Sequence, residues 1–463
     1  MKVLKFGGSS LADWKRIENV AGIVRKAQAD EGKVVVVLSA MKGVTDRLVE
    51  SANMAARGDG SYTSNVEWIS DKHVDTVRKL FKPTAQAGVI TPIQIMLNEL
   101  GDILHGVELI RECSLKTMDL VMSFGERMSC IIFSRYLESV GVGASFVDAR
   151  ECIKTNDNFG GATVDFEKSY SLTRELVDKV LKGKKIPVIT GFIASTEEGI
   201  TTTLGRNGSD YTASIVGAGV DADCIEIWTD VDGVLSADPA LVEDAFVIDE
   251  LSYEEAMELS YFGAKVIHPY TMIPAVEKQI PIRIKNSLNP EAPGTLISNR
   301  IKKHNRSVTG IASINQIALL NVEGGGMIGI PGIAARIFSA LAKESINIMM
   351  ISQASSEHSI CLVFHEKDSE RALDSLKAEL ALEIEAKRIE NLELRRDLVM
   401  IAIIGENMRG TPGISGRLFS ALGSEGINVF AIAQGSSERN ITFIISKDDE
   451  KKALLTIHRA FLK

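Results

Sequence analysis

The chain has 463 residues, of which 45% are hydrophobic and 24% are charged, and its formal net charge is −9. These proportions are typical of a folded globular protein of about three domains, and they exclude a disordered, collagen-like or disulfide-scaffold chain. The acidic balance argues against a nucleic-acid partner, and no apolar run is long enough to predict a membrane span.

The number and spacing of the cysteines and histidines indicate the cellular compartment in which the protein is expected to work. The five cysteines are scattered without a C-x-x-C pair, and no histidine lies in an H-E-x-x-H pattern. This usage is typical of reduced core thiols and predicts neither disulfides nor metal-ligating residues. The N-terminus, MKVLKFGGSSLADW, lacks the apolar segment of a signal peptide. We therefore expect a cytoplasmic protein.

Short apolar runs alternate with helical patterns through the N-terminal two thirds of the chain. The run VVVVL at 34–38 is apolar throughout, as in strands buried on both faces of a parallel sheet. Residues 60–118 form a more helical flank, and the alternation as a whole predicts an αβα sandwich. The predicted strands are 2–6, 33–39, 119–123, 144–148, 187–192, 224–229 and 281–285. The predicted helices are 14–28, 45–57, 125–140, 169–181, 210–220 and 253–265.

The C-terminal part contains an internal repeat. Residues 329–360 match residues 410–441 at an offset of 81 positions, which indicates a duplicated module. Each copy is predicted to be a small βαββαβ sandwich, with second helices at about 369–381 and 449–461. The predicted domains are an α/β domain at 1–298, a linker with the first module at 299–385, and the second module at 386–463.

The segment KFGGSS at 5–10 follows the first predicted strand and precedes a helix. Its glycines, Gly7 and Gly8, let backbone N–H groups approach an anion near a helix N-terminus, and Lys5 adds a positive charge. The segment is not a Walker A motif, since G-K-[ST] is absent. A plain Gly-Gly turn beside a surface lysine is the alternative.

Two further segments offer polar groups where an open α/β sheet binds ligands. SAMKGVT at 39–45 supplies the hydroxyls of Ser39 and Thr45, although alone it equally suits a helix cap. In SFGERMS, Glu126 is expected to open a helix. There it either interacts with the helix dipole or pairs with a substrate ammonium.

The densest polar cluster is TLGRNGSD at 203–210. Arg206 can form a forked contact with a carboxylate or phosphate, and Asp210 can neutralise a lysine or a metal. A cluster of two glycines, an arginine, an asparagine and an aspartate is rarely only structural.

Two later segments offer groups for a nucleotide. In WTDVDGV, Thr229 and Asp230 follow a predicted strand and either face a nucleotide or form a tight turn. Lys265 near a helix end is either a dipole partner or a second phosphate-binding cation. This inventory suits phosphoryl transfer to a carboxylate, which is already ionised and needs no general base.

These motifs, in this order, resemble those of the aspartate kinases, which have the amino-acid kinase fold, and the repeat resembles their paired ACT domains. The resemblance covers nearly the whole chain and makes 1–298 the catalytic domain. It implies ATP-dependent phosphorylation of the L-aspartate side-chain carboxylate to 4-phospho-L-aspartate, with Mg²⁺ as the partner of ATP. This reaction is the entry step to lysine, threonine and methionine.

The resemblance also implies roles for individual residues. Lys5 and Asp210 match catalytic positions, Glu126 is expected to hold the α-ammonium of aspartate, and Arg206 a carboxylate. The implied aspartate contacts are Ser39, Thr45, Glu126 and Arg206, and the implied nucleotide contacts are Lys5, Gly7, Gly8, Thr229, Asp230 and Lys265.

The chain departs from the family pattern at two positions associated with the nucleotide. Leu235 stands where members commonly have Tyr, and Ala240 where they often have Arg. A catalytically weak amino-acid sensor is therefore the alternative function. A kinase for another carboxylate, such as acetylglutamate, fits less well because that substrate lacks a free ammonium. The chain looks most like the kinase half of the bifunctional aspartokinase–homoserine dehydrogenases, so we expect a monofunctional enzyme or a fragment.

The repeated module predicts feedback regulation. We expect an amino-acid effector to bind through amide side chains, which both donate and accept hydrogen bonds. The Q-x-S-S-E pattern resembles that of threonine-sensitive family members more than that of lysine-only ones, and this resemblance implies threonine first and lysine second. Pairing of edge strands from two chains favours a homodimer or higher homo-oligomer. The candidate effector residues are Asn347, Gln353, Asn428 and Gln434.

Overall fold

The computed structural model describes residues 1–262, 268–299, 306–327, 331–353 and 358–463, which form two compact units. The first unit contains residues 1–234, 247–253 and 268–299. The second contains the described residues from 306 onward together with two earlier segments, 235–246 and 254–262. Both earlier segments fall within the predicted domain 1–298, although they pack in the second unit.

The first unit is built on an eight-stranded sheet. Its strands, with one separate hairpin, are β1 (Lys2–Phe6), β2 (Val34–Leu38), β3 (Ala144–Val147), β4 (Ile186–Thr190), β5 (Ile193–Ser195), β6 (Thr201–Thr203), β7 (Cys224–Thr229), β8 (Glu250–Leu251), β9 (Ile282–Asn286) and β10 (Thr295–Ile297). The order across the sheet is β3-β4-β2-β1-β7-β9-β10-β8, and β5 pairs with β6. Neighbours from β3 to β9 are parallel, so their carboxyl ends meet at one edge.

Helices cover both faces of this sheet, as the αβα prediction requires. They are α1 (Trp14–Glu31), α2 (Val44–Ala56), α3 (Tyr62–Leu80), α4 (Pro83–Ile110), α5 (Leu115–Ser139), α6 (Phe166–Lys182), α7 (Gly208–Gly219) and, after α8 (Tyr253–Tyr261) of the second unit, α9 (Pro269–Glu277). Leu4 and Phe6 point into a core shared with α1 to α5, and every residue of β2 is buried. No helix within the described part of the chain is both long and apolar enough to cross a bilayer.

The prediction of a strand at 119–123 is wrong. These residues lie inside α5, a helix of 25 residues that begins after Ser114, whose side chain accepts a hydrogen bond from the Thr117 N–H. A short apolar run such as LVMSF does not distinguish a strand from a buried helix turn, so periodicity alone misassigned it. Glu126 therefore lies in the middle of a helix, and the prediction that it opens one is also wrong.

The second unit contains a six-stranded antiparallel sheet with the order β12-β13-β11-β14-β16-β15. Besides α8, its elements are β11 (Gly310–Glu323), α10 (Ile333–Lys343), β12 (Met350–Gln353), β13 (Ser359–His365), α11 (Ser369–Glu379), α12 (Ala381–Glu385), β14 (Asn391–Ile404), α13 (Ile414–Ser424), β15 (Ala431–Ala433), β16 (Asn440–Ser446) and α14 (Glu450–Phe461).

The duplication predicted from the sequence is confirmed in three dimensions. α10 and α13 correspond at the predicted offset, and α11 and α14 occupy the positions predicted for the second helices. The correspondence extends to backbone conformation, because Gln316 in β11 and Asp397 in β14 both have positive φ, at 56° and 55°. Left-handed backbone is unusual for such residues, and here it coincides with the register shifts between β11 and β14.

The two modules share their long strands. The second part of β11 and the first part of β14 pack in the core of the first module, through Leu320 and Leu392. The other halves pack in the second module, through Ile311 and Ile403. Because the chain enters α14 after β16, the place of a fourth strand in the second module is taken by Gly310–Ile314, which pairs with Met400–Ile404. The modules are therefore interleaved.

Candidate active site

A cavity of about 520 Å³ opens at the carboxyl ends of β1 and β2 in the first unit. The N-terminus of α7 and the middle of α5 contribute to its wall. Most of the residues singled out from the sequence meet here, although they come from five separate stretches of chain. Those that line the cavity are Lys5, Gly7, Gly8, Ser39, Thr45, Glu126, Arg206, Asp210 and Asp230.

Lys5 and Asp210 form an ion pair in this cavity. Lys5 Nζ lies 2.5 Å from Asp210 Oδ1, and each side chain is only about one tenth exposed. Lys5 is the penultimate residue of β1, and its side chain lies on the opposite side of the strand from that of the buried Phe6, because side chains alternate along a strand. Asp210 lies in the first turn of α7. The pair therefore holds the lysine ammonium at a fixed place in the cavity.

The glycine-rich loop after β1 packs tightly against the loop after β2. A Cβ on Gly8 would lie 3.0 Å from the Ala40 carbonyl oxygen, so a side chain at this position would push the two loops apart. The Gly7 N–H donates to the Trp228 carbonyl at 3.3 Å, which ties the same loop to β7. This close packing places backbone groups of three strand ends around one space.

Glu126 is a buried carboxylate that reaches the cavity from α5. One oxygen, Oε1, accepts a hydrogen bond from the Ala40 N–H at 3.2 Å, and the other, Oε2, is buried without a hydrogen-bond partner among the described residues. Burial raises the pKa of Glu126 to about 8. A buried carboxylate with a free oxygen is prepared to receive a cationic group of a ligand, which would restore its charge.

Arg206 belongs to the loop between β6 and α7. Its neighbours Gly205 and Asn207 both have positive φ, at 74° and 55°, which turns the chain sharply ahead of the helix. Within the described part of the chain the guanidinium forms no ion pair or hydrogen bond, and it lies exposed on the cavity wall. It is therefore available to a carboxylate or phosphate of a ligand.

Among the described residues, those predicted to contact the nucleotide do not all line the cavity. Asp230 lines the cavity, and Thr229 beside it donates a hydrogen bond to Asp230 Oδ1 at 3.2 Å. Lys265 lies outside the described residues. Leu235 and Ala240 belong to the segment 235–246, which packs in the second unit.

Comparison with known proteins identifies the family. The amino acid kinase family model matches residues 1–286, and the ACT domain model matches 320–380 and 401–461. The chain is 38% identical over 99% of its length to the bifunctional aspartokinase/homoserine dehydrogenase 2, chloroplastic, of Arabidopsis thaliana, covering 50% of that protein. It is 35% identical to the aspartokinase 1, chloroplastic, of the same plant, covering 100% of this chain and 80% of that protein.

Comparison with solved structures leads to the same family as comparison with these relatives. The structure of E. coli aspartokinase III in complex with aspartate and ADP (R-state) superposes with a TM-score of 0.81 at 30% identity, covering 100% of both chains. The structure of the same enzyme with lysine and aspartate (T-state) gives 0.79 at 31% identity, again over 100% of both chains. This chain belongs to the aspartokinases of the amino acid kinase family. It spans half the length of the bifunctional plant relative that it matches.

The aspartokinase motifs did not reveal every residue of the cavity. Lys42 and Asp46 line it from the loop after β2 and from α2, and Ser209 lines it from the start of α7. Lys42 and Ser209 lie inside motifs read from the sequence, but only their neighbours were assigned roles. Asp46 carried no sequence signal, because it is one acidic residue in the first turn of a helix, where acids are common.

Aspartokinase chemistry implies a magnesium ion, so the residues that line the cavity can be compared with the ligands that such an ion requires. Among the described residues no group of three or more acids, histidines or cysteines is arranged to hold a metal. Asp210 and Asp230 nevertheless both face the cavity. Mg²⁺ in kinases is usually held by one or two carboxylates together with substrate phosphates and water. The carboxylates of Asp210 and Asp230 therefore fit a magnesium ion that binds together with the nucleotide.

The candidate effector residues lie in the second unit. Asn347 precedes β12 and Gln353 is its last residue, whereas Asn428 and Gln434 lie on either side of β15. All four side chains are exposed. β12 and β15 are the two edges of the sheet, yet they meet, since the Ser352 hydroxyl donates to the Ile432 carbonyl at 3.1 Å. The corresponding edges of both modules therefore lie side by side. Residues 354–357, most of the first serine-rich turn, lie outside the described residues.

Proposed function

We propose that this chain transfers the γ-phosphoryl group of ATP to the side-chain carboxylate of L-aspartate, forming ADP and 4-phospho-L-aspartate. The observation that carries the proposal is the buried oxygen of Glu126 that has no partner among the described residues. It lies in the same cavity as the Lys5–Asp210 pair and Arg206, whose side chain likewise has no partner in the described part of the chain. An α-amino acid matches these groups, because Glu126 receives its ammonium and Arg206 a carboxylate. The aspartate and ADP named for the E. coli relative support both substrates.

The reaction needs charge stabilisation more than proton transfer. A side-chain carboxylate oxygen of aspartate is ionised at neutral pH and attacks the γ-phosphorus while the bond to the bridging oxygen of ADP breaks. Lys5 stabilises the negative charge that develops on the transferring group, and Asp210 keeps the lysine ammonium in place. Ser39 and Thr45 supply hydroxyls on the aspartate side, and Gly7, Gly8, Thr229, Asp230 and Lys265 serve the nucleotide.

Mg²⁺ is part of the proposal as the partner of ATP. Asp210 and Asp230, two of the carboxylates on the cavity wall, would hold it together with the phosphates. When bound, it neutralises phosphate charge. We retain the predicted cytoplasmic location as part of the proposal, although the plant relatives are named chloroplastic.

We further propose that amino acids regulate the enzyme through the ACT modules, with binding at Asn347, Gln353, Asn428 or Gln434. Lysine is supported by the lysine-bound E. coli relative, and threonine by the Q-x-S-S-E pattern. A homodimer or higher homo-oligomer formed through the module edges is consistent with exposed Ile351 and Ile432 on β12 and β15. Exposed apolar side chains on edge strands favour association with another chain.

The test is aspartate-dependent release of ADP from Mg-ATP, with the acyl phosphate captured as a hydroxamate by hydroxylamine. N-acetyl-L-aspartate is the matched control acceptor, because it keeps both carboxylates and lacks the ammonium. We expect hydroxamate with L-aspartate only, and a lower rate when threonine or lysine is added. Equal rates with both acceptors would refute the role of Glu126. Absence of ADP release under all conditions would favour the amino-acid sensor.

A further inference from the structure

Asp119 is a fully buried carboxylate that no part of the proposed mechanism uses. It lies on α5 and makes its hydrogen bonds to two other segments. Oδ1 accepts the Thr203 hydroxyl at 2.7 Å, and Oδ2 accepts the Thr203 N–H at 3.0 Å and the Gly160 N–H at 3.0 Å. Burial raises the pKa of Asp119, and these hydrogen bonds oppose the rise. Asp119 could not be recognised as a site residue from the sequence pattern, because it lies in the segment 119–123 that was wrongly predicted to be a strand.

The segment that Asp119 holds leads directly to Arg206. Thr203 is the last residue of β6, and its carbonyl also accepts the Ala162 N–H at 2.9 Å. The next residues turn through Gly205, where an added Cβ would lie 3.6 Å from the Gly160 carbonyl oxygen. Arg206 has no side-chain tie of its own within the described chain. The position of Arg206 therefore depends on the contacts that hold the backbone of its neighbours, such as Thr203 and Gly205.

Asp119 and Glu126 are seven residues apart on α5, which is about two helical turns. Residues at this spacing lie near one face of a helix, and both side chains are buried. One helix therefore presents Glu126 to the cavity and fastens, through Asp119, the loop that carries Arg206. The helix acts as a rigid link between the two charged groups that we assign to aspartate.

We propose that Asp119 is a positioning residue that sets the separation between Arg206 and Glu126 and thereby determines how tightly the α-amino-acid acceptor is bound. This proposal rests on the proposed function. Misplacing a binding group by about 1 Å weakens a well-oriented site up to about a hundredfold. Loss of the anchor therefore affects the aspartate side of the reaction and leaves the nucleotide side unchanged.

The variants follow from hydrogen-bond geometry. Asp119→Ala removes every acceptor. Asp119→Asn keeps one acceptor oxygen, which can receive both N–H groups, and its NH₂ group can donate to the Thr203 hydroxyl, which also accepts. Ser123→Ala is the matched control, since Ser123 is equally buried on the same helix but, among the described residues, its hydroxyl bonds only to the Leu120 carbonyl of that helix.

The experiment measures KM for aspartate, KM for ATP and kcat in the full chain. For Asp119→Ala we expect KM for aspartate to rise about tenfold or more and KM for ATP to change less than about twofold. Asp119→Asn and Ser123→Ala should remain near wild type. Hydrogen exchange at the Thr203 and Gly160 amides should be faster in Asp119→Ala alone.

Separate outcomes would overturn the two proposals. If the wild-type chain is active and the Asp119→Ala variant keeps its KM for aspartate, the positioning role is refuted. It is also refuted if KM for ATP rises as much as KM for aspartate, or if Asp119→Asn behaves like Asp119→Ala. If the wild-type chain does not phosphorylate aspartate, the proposed function fails. Asp119 would then remain an anchor of the loop only if the two amides lose protection in the Asp119→Ala variant.

Discussion

Lys5 Nζ contacts Asp210 Oδ1 at 2.5 Å, although the two residues come from the first strand and the seventh helix of the first unit. Each charge is largely removed from water, so each depends on the other for its solvation. The pair lies between the glycine-rich loop and the loop that carries Arg206. It therefore connects the two parts of the cavity assigned to the two substrates.

Replacing either member of the Lys5–Asp210 pair should lower the free energy of unfolding, and replacing Lys5 should also lower the catalytic rate. Lys5→Met should lower kcat by at least about a hundredfold, because it removes a charge that stabilises the transferring group. Lys5→Met and Asp210→Asn should each lower the free energy of unfolding by on the order of 3 kcal/mol, since each strands a buried partner. Kinetics and urea denaturation measure the two effects.

The double variant Lys5→Met/Asp210→Asn is the control for this interpretation. With both charges gone, most of the lost stability should return while activity stays low. Additive losses of stability would show that the two side chains do not stabilise one another.

The raised pKa of Glu126 predicts a pH dependence of stability. Between its unfolded value and about 8, the folded chain holds a proton that the unfolded chain has released. The free energy of unfolding should therefore fall as pH rises through this window, by on the order of 1 kcal/mol per pH unit, and level off above it. Thermal or urea denaturation of the wild type and of Glu126→Gln at several pH values measures the difference.

Aspartate provides the control for the Glu126 prediction. A bound ammonium favours the ionised carboxylate and lowers its pKa, so saturating L-aspartate should remove most of the slope in the wild type. The Glu126→Gln variant should show neither the slope nor its loss. The same slope in both proteins would assign it to another group.

The effector prediction concerns matched amides of the two modules. Gln353→Ala and Gln434→Ala should each raise the effector concentration for half-inhibition by about tenfold, the loss of one hydrogen bond, without changing basal activity. Inhibition curves with threonine and with lysine measure this. Ser424→Ala, an exposed change on α13 whose hydroxyl bonds only to the Ala421 carbonyl, is the control. Unaltered inhibition in both glutamine variants would refute the site.

The oligomer prediction concerns the edge strands. Ile351 on β12 and Ile432 on β15 are 47% and 44% exposed, and a charge at either position should prevent strand pairing between chains. Ile351→Lys and Ile432→Lys should therefore sediment at the monomer mass, whereas the wild type sediments at the dimer mass or above. Leu382→Lys is the control, since Leu382 on α12 is 74% exposed and lies off the sheet. A wild-type monomer would contradict the proposed assembly.

Much of the candidate site was predictable because its motifs follow strands. Lys5, Ser39 and Asp230 each come at or directly after a strand, and parallel strands bring their carboxyl ends to one edge. The roles of individual residues remain predictions, as do the domain limits at 298 and 385. The effect of Leu235 and Ala240, which lie in the second unit, on nucleotide binding likewise remains a prediction.

The amino-acid sequence alone was sufficient to predict buried strands alternating with helices, the duplication, and the kinds of group that follow each strand. Side-chain periodicity is a short-range signal, and a repeat is found by comparing the sequence with itself, so neither needs knowledge of the fold. The three-dimensional structure was needed to show that Glu126 lies in mid-helix, that Asp119 fastens the Arg206 loop, and that β11 and β14 serve both modules. These depend on hydrogen bonds and packing between segments far apart in the chain, which no local pattern specifies.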